Sequence, residues 1–95
     1  MATATEDDTE LAVKRVLILD DEPGILEVLS QHLTGAGYEC TTTTSPARTL
    51  DMLRAERFSL LLTDLRMPEM DGLEIVRRAR NIDPDLSIIV VSAMA

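Results

Sequence analysis

Apolar residues fall along this chain in short blocks separated by periodic, half-polar stretches. Four blocks have the length of strands: "RVLILD" (15–20), "ECTTT" (39–43), "SLLLTD" (59–64) and "LSIIVVS" (86–92). The first, third and fourth are continuously apolar rather than alternating, the pattern of strands covered on both faces of a parallel sheet. "ECTTT" is more polar, yet β-branched threonine suits a strand, and its polarity suits a sheet edge. Between the blocks the spacing turns helical. Ile25, Val28, Leu29, His32 and Leu33 follow helical spacing from Pro23 to Thr34, with Pro23 suited to the first turn and "TGAG" supplying the stop. Ser45 and Pro46 read as a cap and first helical residue, followed by a stripe of Ala47, Leu50 and Leu53. Asp71 and Glu74 have capping-box spacing and open a third helix with Leu73, Val76 and Ala79 on one side, and Asp83-Pro84 ends it.

The order is therefore β-α-β-α-β-α-β. Strands joined by crossover helices pair in parallel through right-handed connections. The sequence predicts an α/β fold with a doubly wound parallel sheet, or the first part of one.

Composition narrows the class. The chain has 95 residues, enough for one small domain, with 45% hydrophobic and 27% charged residues. Aromatics are limited to Tyr38 and Phe58, so the core is built from aliphatic side chains. A formal net charge of −8 argues against direct nucleic-acid contact by this segment. The single cysteine, Cys40, has no internal disulfide partner, which suits a reducing cytoplasm. "MATATEDDTE" carries four acids and no base, and residues 1–13 are expected to form a disordered acidic leader. No apolar run approaches the roughly 20 residues of a membrane span, and the first residues lack the apolar core of a signal peptide.

The acids carry the chemistry. Ligands of open parallel sheets bind beyond the carboxyl ends of the strands. Asp20 and Asp21 end the first strand and Asp64 ends the third. If those strands are neighbours, three carboxylates meet in one cleft. Each alone could be a helix cap. Together, unpaired acids at close range call for a cation, and an all-oxygen donor set favours Mg²⁺. An aspartate beside Mg²⁺ can attack phosphorus, a reaction that needs alignment and charge neutralisation. The Ser92 hydroxyl, at the end of the fourth strand, could donate to a phosphoryl oxygen.

"VLILDDEPGI", "LLLTDLRMPEMDGLEIVRRAR" and "IIVVSA" resemble the receiver domain of two-component response regulators, over residues 14–95. The resemblance implies a flavodoxin-like sheet of strand order 2-1-3-4. It implies that Asp64 is the phosphoacceptor, charged by a sensor histidine kinase. Asp20 and Asp21 would form the acidic pair, with Asp21 a direct Mg²⁺ ligand beside Asp64 and the backbone carbonyl of Arg66. Ser92 matches the switch hydroxyl, and Ala93 the small residue that leaves room for the phosphoryl group. Pro68 and Gly72 would shape the loop after the acceptor. Receivers continue through a further helix, strand and helix, and carry a lysine at the end of the fifth strand. The only lysine here is Lys14, before the first strand. Residues 14–95 are therefore expected to be a partial receiver domain lacking its last helix-strand-helix portion, a piece of a longer regulator with impaired phosphorylation. Its apolar edge "LSIIVVSAMA" is expected to dimerise or exchange segments.

Two alternatives use the same residues. One is a phosphorylation-independent dimerisation and interaction module. The other is a phosphohydrolase with an aspartate nucleophile, which would place a second aspartate two positions on, where Arg66 stands. Among smaller signals, His32 reads as a half-buried structural residue. Arg77, Arg78 and Arg80 read as a solvated helix face, and Met67 and Met70 as packing around the acceptor loop.

Overall fold

Two apolar strands, β1 (Arg15–Leu19) and β3 (Leu60–Asp64), pair in parallel at the centre of a four-stranded sheet. β2 (Glu39–Thr43) and β4 (Ser87–Val91) flank them in the order β2-β1-β3-β4, all parallel, as the sequence predicts. The computed structural model describes residues 14–91; the acidic leader over 1–13, Ser92 and Ala93 lie outside the described residues. Three crossover helices join the strands: α1 (Pro23–Gly35), α2 (Pro46–Ala55) and α3 (Gly72–Ile82).

The two-residue period of a strand splits the core into two layers. Val16 and Ile18 of β1 pack with Leu62 of β3 and Leu26 of α1, with Leu29 and Leu33 against them. Leu17 and Leu19 face the other way, onto Leu50 and Leu53 of α2, Ile75 and Ala79 of α3, Phe58 and Leu61. Both faces of β1 are thereby covered, which is why its apolar run is continuous.

Local signals start the helices. Pro23 occupies the first turn of α1. Ser45 Oγ accepts from the Arg48 amide at 3.1 Å, and Pro46 follows it. Asp71 Oδ1 accepts from the Glu74 amide at 2.9 Å. The Glu74 carboxylate pairs forward with Arg77 at 3.1 Å and Arg78 at 2.8 Å, so the expected capping box is present in its Asp71 half. That pairing engages Arg77 and Arg78 of the solvated arginine face, while Arg80, also exposed, donates to the Leu86 carbonyl at 3.0 Å.

Four expectations about faces are corrected. In α1 the buried position is Leu26, with the expected Leu29 and Leu33 half-buried beside it, while Ile25 and Val28 are 40% and 52% exposed, so the inward stripe includes only part of the one counted. His32 is exposed, not half-buried, with Nδ1 2.9 Å from the Val28 carbonyl. Ala47 and Leu73 face solvent, and Thr49 and Ile75 take the inward positions. Thr49 is tolerated there because its hydroxyl donates to the Ser45 carbonyl at 3.1 Å, which leaves a methyl for the core. β4 is not covered on both faces: Ile89, Val90 and Val91 are exposed, because among the described residues β4 pairs with β3 alone and only its Ile88 packs against the core layer beneath the helices.

At the amino-terminal ends of the strands, Arg15 gathers several elements. Its guanidinium hydrogen-bonds the Glu56 carboxylate, lies 3.7 Å from Glu39, donates to the Arg57 carbonyl at 3.0 Å and sits 4.6 Å over the Phe58 ring. It thereby ties the starts of β1 and β2 to the turn leading into β3.

Leu17 is fully buried and Leu73 is 64% exposed. Leu17→Ala is therefore expected to lower the unfolding free energy by about 2–5 kcal/mol. Leu73→Ala is expected to change it by no more than about 0.5 kcal/mol. Urea denaturation of the two variants checks the assigned core; equal losses would contradict it.

Candidate functional site

The register of the central strands decides which acids meet. β1 and β3 pair Leu19 with Thr63, and one further step sets Asp20 opposite Asp64. Asp21 follows at the turn into α1. Each of Asp20, Asp21 and Asp64 brings a carboxylate oxygen within 4.8 Å of the other two. The three acids singled out from the sequence thus converge at the carboxyl ends of the strands.

Their environments differ. Asp20 is 9% exposed, Asp64 is half-buried and Asp21 faces solvent. Asp20 Oδ1 accepts from the Glu22 amide at 2.9 Å, an Asx-type turn at the entrance to α1. Glu22 precedes α1 without a side-chain cap of its own. Asp20 therefore closes the local turn and also joins the acidic cluster; it is not the cap of α1, a position that Glu22 holds. Burial raises the Asp20 carboxyl above its ordinary range; the Glu22 amide opposes this, and the charges of Asp64, Asp21 and Glu22 add to it.

The segment after Asp64 is pinned at several points. The Leu65 amide donates to the Val91 carbonyl at 2.9 Å, and the Gly72 amide donates to the Leu65 carbonyl at 2.7 Å. Met67 is buried and Met70 packs against the same core, the packing expected of the loop after Asp64. The Arg66 side chain is exposed in that loop. Sequence reasoning missed two polar partners here: the Glu22 amide on Asp20, and the Thr63 hydroxyl, which donates to the Asp64 carbonyl at 3.1 Å. The signal for Thr63 was a hydroxyl at the end of the apolar run, directly before Asp64.

A cleft of about 230 Å³ opens beside the acids, lined by Asp21, Thr44, Pro46, Met67, Pro68 and Glu69. A larger hollow of about 370 Å³ lies between the carboxyl ends of α2 and α3 and includes none of the three aspartates. Lys14 precedes β1, at the end of the strand remote from Asp20. Three carboxylates in mutual reach make a hard, all-oxygen donor set with negative charge to be offset, and this fits a divalent cation such as Mg²⁺.

Comparison with known proteins gives a consistent picture. Residues 16–95 match the family model of the response regulator receiver domain. The response regulator receiver protein CpdR of Brucella abortus is 45% identical over 83 residues, which is 87% of this chain and 69% of CpdR. The DNA-binding transcriptional regulator NtrC of Klebsiella pneumoniae is 42% identical over 76 residues, 80% of this chain but 16% of NtrC. Among solved structures, the response regulator TrrA of Thermotoga maritima in complex with Mg²⁺–BeF has a TM-score of 0.82 at 34% identity, covering 87% of this chain and 72% of that one. A complex of TrrA with the histidine kinase ThkA gives a TM-score of 0.81 over the same shares of the two chains.

The raised Asp20 carboxyl has a consequence for stability. A carboxyl whose folded pKa lies above its unfolded value penalises the charged folded state; the penalty is full above the folded pKa, fades as pH falls through it, and is gone below the unfolded pKa. Asp20→Asn keeps an acceptor for the Glu22 amide and removes the charge. In metal-free buffer at neutral pH the variant is expected to melt at a higher temperature than the parent. The gap should close on acidification below about pH 4, the ordinary carboxylate range. Thermal melts across pH check this; a variant no more stable than the parent at neutral pH would contradict it.

Proposed function

The chain belongs to the response regulator receiver domain family, and on that footing we propose that Asp64 is the phosphoacceptor of a two-component switch. The observation that carries this reading is the convergence of the Asp20, Asp21 and Asp64 carboxylates within 4.8 Å at the carboxyl end of the sheet. The Mg²⁺–BeF complex of TrrA and its complex with ThkA support the same chemistry and the same kind of partner for this chain.

In this reading an Asp64 carboxylate oxygen attacks the phosphorus of a phosphohistidine on a sensor kinase. The P–N bond breaks, the imidazole leaves, and Asp64 becomes an acyl phosphate. When bound, Mg²⁺ would supply neutralisation of the phosphoryl oxygens; Asp21, Asp64 and the Arg66 carbonyl would hold it, with Asp20 completing the acidic pair. Ser92 would donate to a phosphoryl oxygen and Ala93 would leave it room. The modification adds roughly −1.5 to −2 charge. That charge arrives where Asp20, Asp21 and Glu22 already repel one another, a bias that favours rearrangement of the neighbouring loops.

The chain spans 69% of CpdR and 16% of NtrC, so the output belongs to the proposal as well. We read these residues as the input part of a cytoplasmic regulator whose effector acts elsewhere, since the net charge of −8 disfavours DNA contact here. Among the described residues no helix is long and apolar enough to cross a membrane. A second reading concerns β4, an edge strand of the described sheet with Ile89, Val90 and Val91 exposed at 49%, 38% and 41%. Such an edge accepts another strand, and a second copy of the chain is the occupant we propose.

Two measurements check these readings. Labelling by a small acyl phosphate is expected to need both Mg²⁺ and Asp64, falling to background in Asp64→Asn. It is expected to be slow, because Lys14 is the only lysine of the 95 residues and lies at the far end of β1. Labelling that persists in Asp64→Asn would refute the assignment. Self-association at high concentration is expected in the parent and lost in Val90→Lys; a parent that sediments as a monomer would refute the edge pairing.

A further inference from the structure

The acceptor is held by its main chain as well as by its place in the strand. The Asp64 carbonyl receives the hydroxyl of Thr63, which is 1% exposed, at 3.1 Å. On its other side stands Gly72, the first residue of α3 and buried. A Cβ built on Gly72 would lie 2.6 Å from the Asp64 carbonyl oxygen, 2.8 Å from Leu65 Cα and 3.1 Å from the Leu65 carbonyl oxygen. All three are backbone atoms, so no side chain could swing aside to make room. The strand has little freedom to retreat. Asp64 pairs with Val91 in the sheet, the Leu65 amide is bonded to the Val91 carbonyl, and the Leu65 carbonyl takes the Gly72 amide.

The other helical glycines behave differently. A Cβ added at Gly24 or Gly35 would meet nothing within 4 Å, so alanine fits at either. Gly72 alone among the four glycines is required by close approach.

The structure assigns Thr63 and Gly72 as positioning residues: together they fix the Asp64 peptide and thereby aim the acceptor carboxylate at Asp20 and Asp21. The physical reason is proximity. The contested carbonyl belongs to the acceptor residue itself, so displacing it turns Asp64 about its own Cα and shifts Leu65 and Arg66. Three carboxylates whose oxygens lie within 4.8 Å leave little tolerance, and Mg²⁺ demands near-ideal octahedral geometry. The assignment rests on the phosphoacceptor reading for its consequence, but the contact itself is independent of any metal.

The experiment compares Gly72→Ala, Thr63→Val, Thr63→Ser and, as a control, Gly35→Ala in the same 95-residue chain. In metal-free protein, amide resonances of Asp64, Leu65 and Arg66 are expected to move in Gly72→Ala and to stay in place in Gly35→Ala. Mg²⁺ titration by calorimetry is then expected to show affinity at least tenfold weaker for Gly72→Ala and several-fold weaker for Thr63→Val. Thr63→Ser, which keeps the hydroxyl, is expected to restore it. If Gly72→Ala fails to fold, the two Thr63 variants decide the question, because a purely structural role would not return affinity with the hydroxyl. Unmoved acceptor amides in folded Gly72→Ala, or parental affinity in Thr63→Val, overturn the assignment. A parent that binds no Mg²⁺ overturns the metal reading instead, and the metal-free resonances report on Gly72 separately.

Discussion

The parallel register between β1 and β3 is the constraint on which the molecule depends. It sets Leu17 beside Leu61 and Ile18 beside Leu62, and so builds both core layers. The same ladder, carried one residue further, sets Asp20 against Asp64. A slip by a single residue would turn every side chain of a strand to the opposite face. Val16 and Ile18 would then exchange layers with Leu17 and Leu19, and the acids would part. Core packing therefore enforces the geometry of the acidic cluster, although no apolar residue takes part in its chemistry.

The fold was legible because strand and helix signals agreed. "RVLILD" and "SLLLTD" are apolar throughout because helices cover both sides of the central strands, and Ser45-Pro46 and Asp71 mark helix starts by a local mechanism that survives in the structure. The acids were legible for a related reason: they stand at the ends of the two apolar runs, which in a parallel sheet fixes the end where they gather. What did not read correctly was orientation. A stripe counted on α1 from Ile25 missed that Leu26 is the buried position, since helical spacing allows several neighbouring stripes when apolar residues are plentiful. Thr49 was invisible to an apolar count because its hydroxyl is hidden in its own helix. The exposure of β4 was equally unreadable, since an apolar run reports the residues available for burial and not the partners that bury them. The backbone contact of Gly72 with Asp64 is a tertiary fact between residues eight apart in number, and only the glycine itself hinted at it.

The acidic cluster is a local conflict with stability. Asp20 is largely buried beside two other carboxylates, and one amide bond to Glu22 offsets only part of that cost. Small domains have little stability to spare. The fold meets this conflict with a rigid surround: a strand pinned to β4, a turn closed by Gly72 and the buried Met67 of the following loop. The turn that Asp20 closes is also what holds its carboxylate among the acids.

Arg15 gives this arrangement its polarity. Its links to Glu39, Glu56, the Arg57 carbonyl and Phe58 sit at the opposite rim of the sheet from the three aspartates. Cohesion and chemistry are thus allotted to opposite edges, with the two core layers as insulation between them. A protein engineer can exploit that separation: reinforcing the arginine edge should recover robustness lost to redesign of the acidic edge, because the two share no side chain.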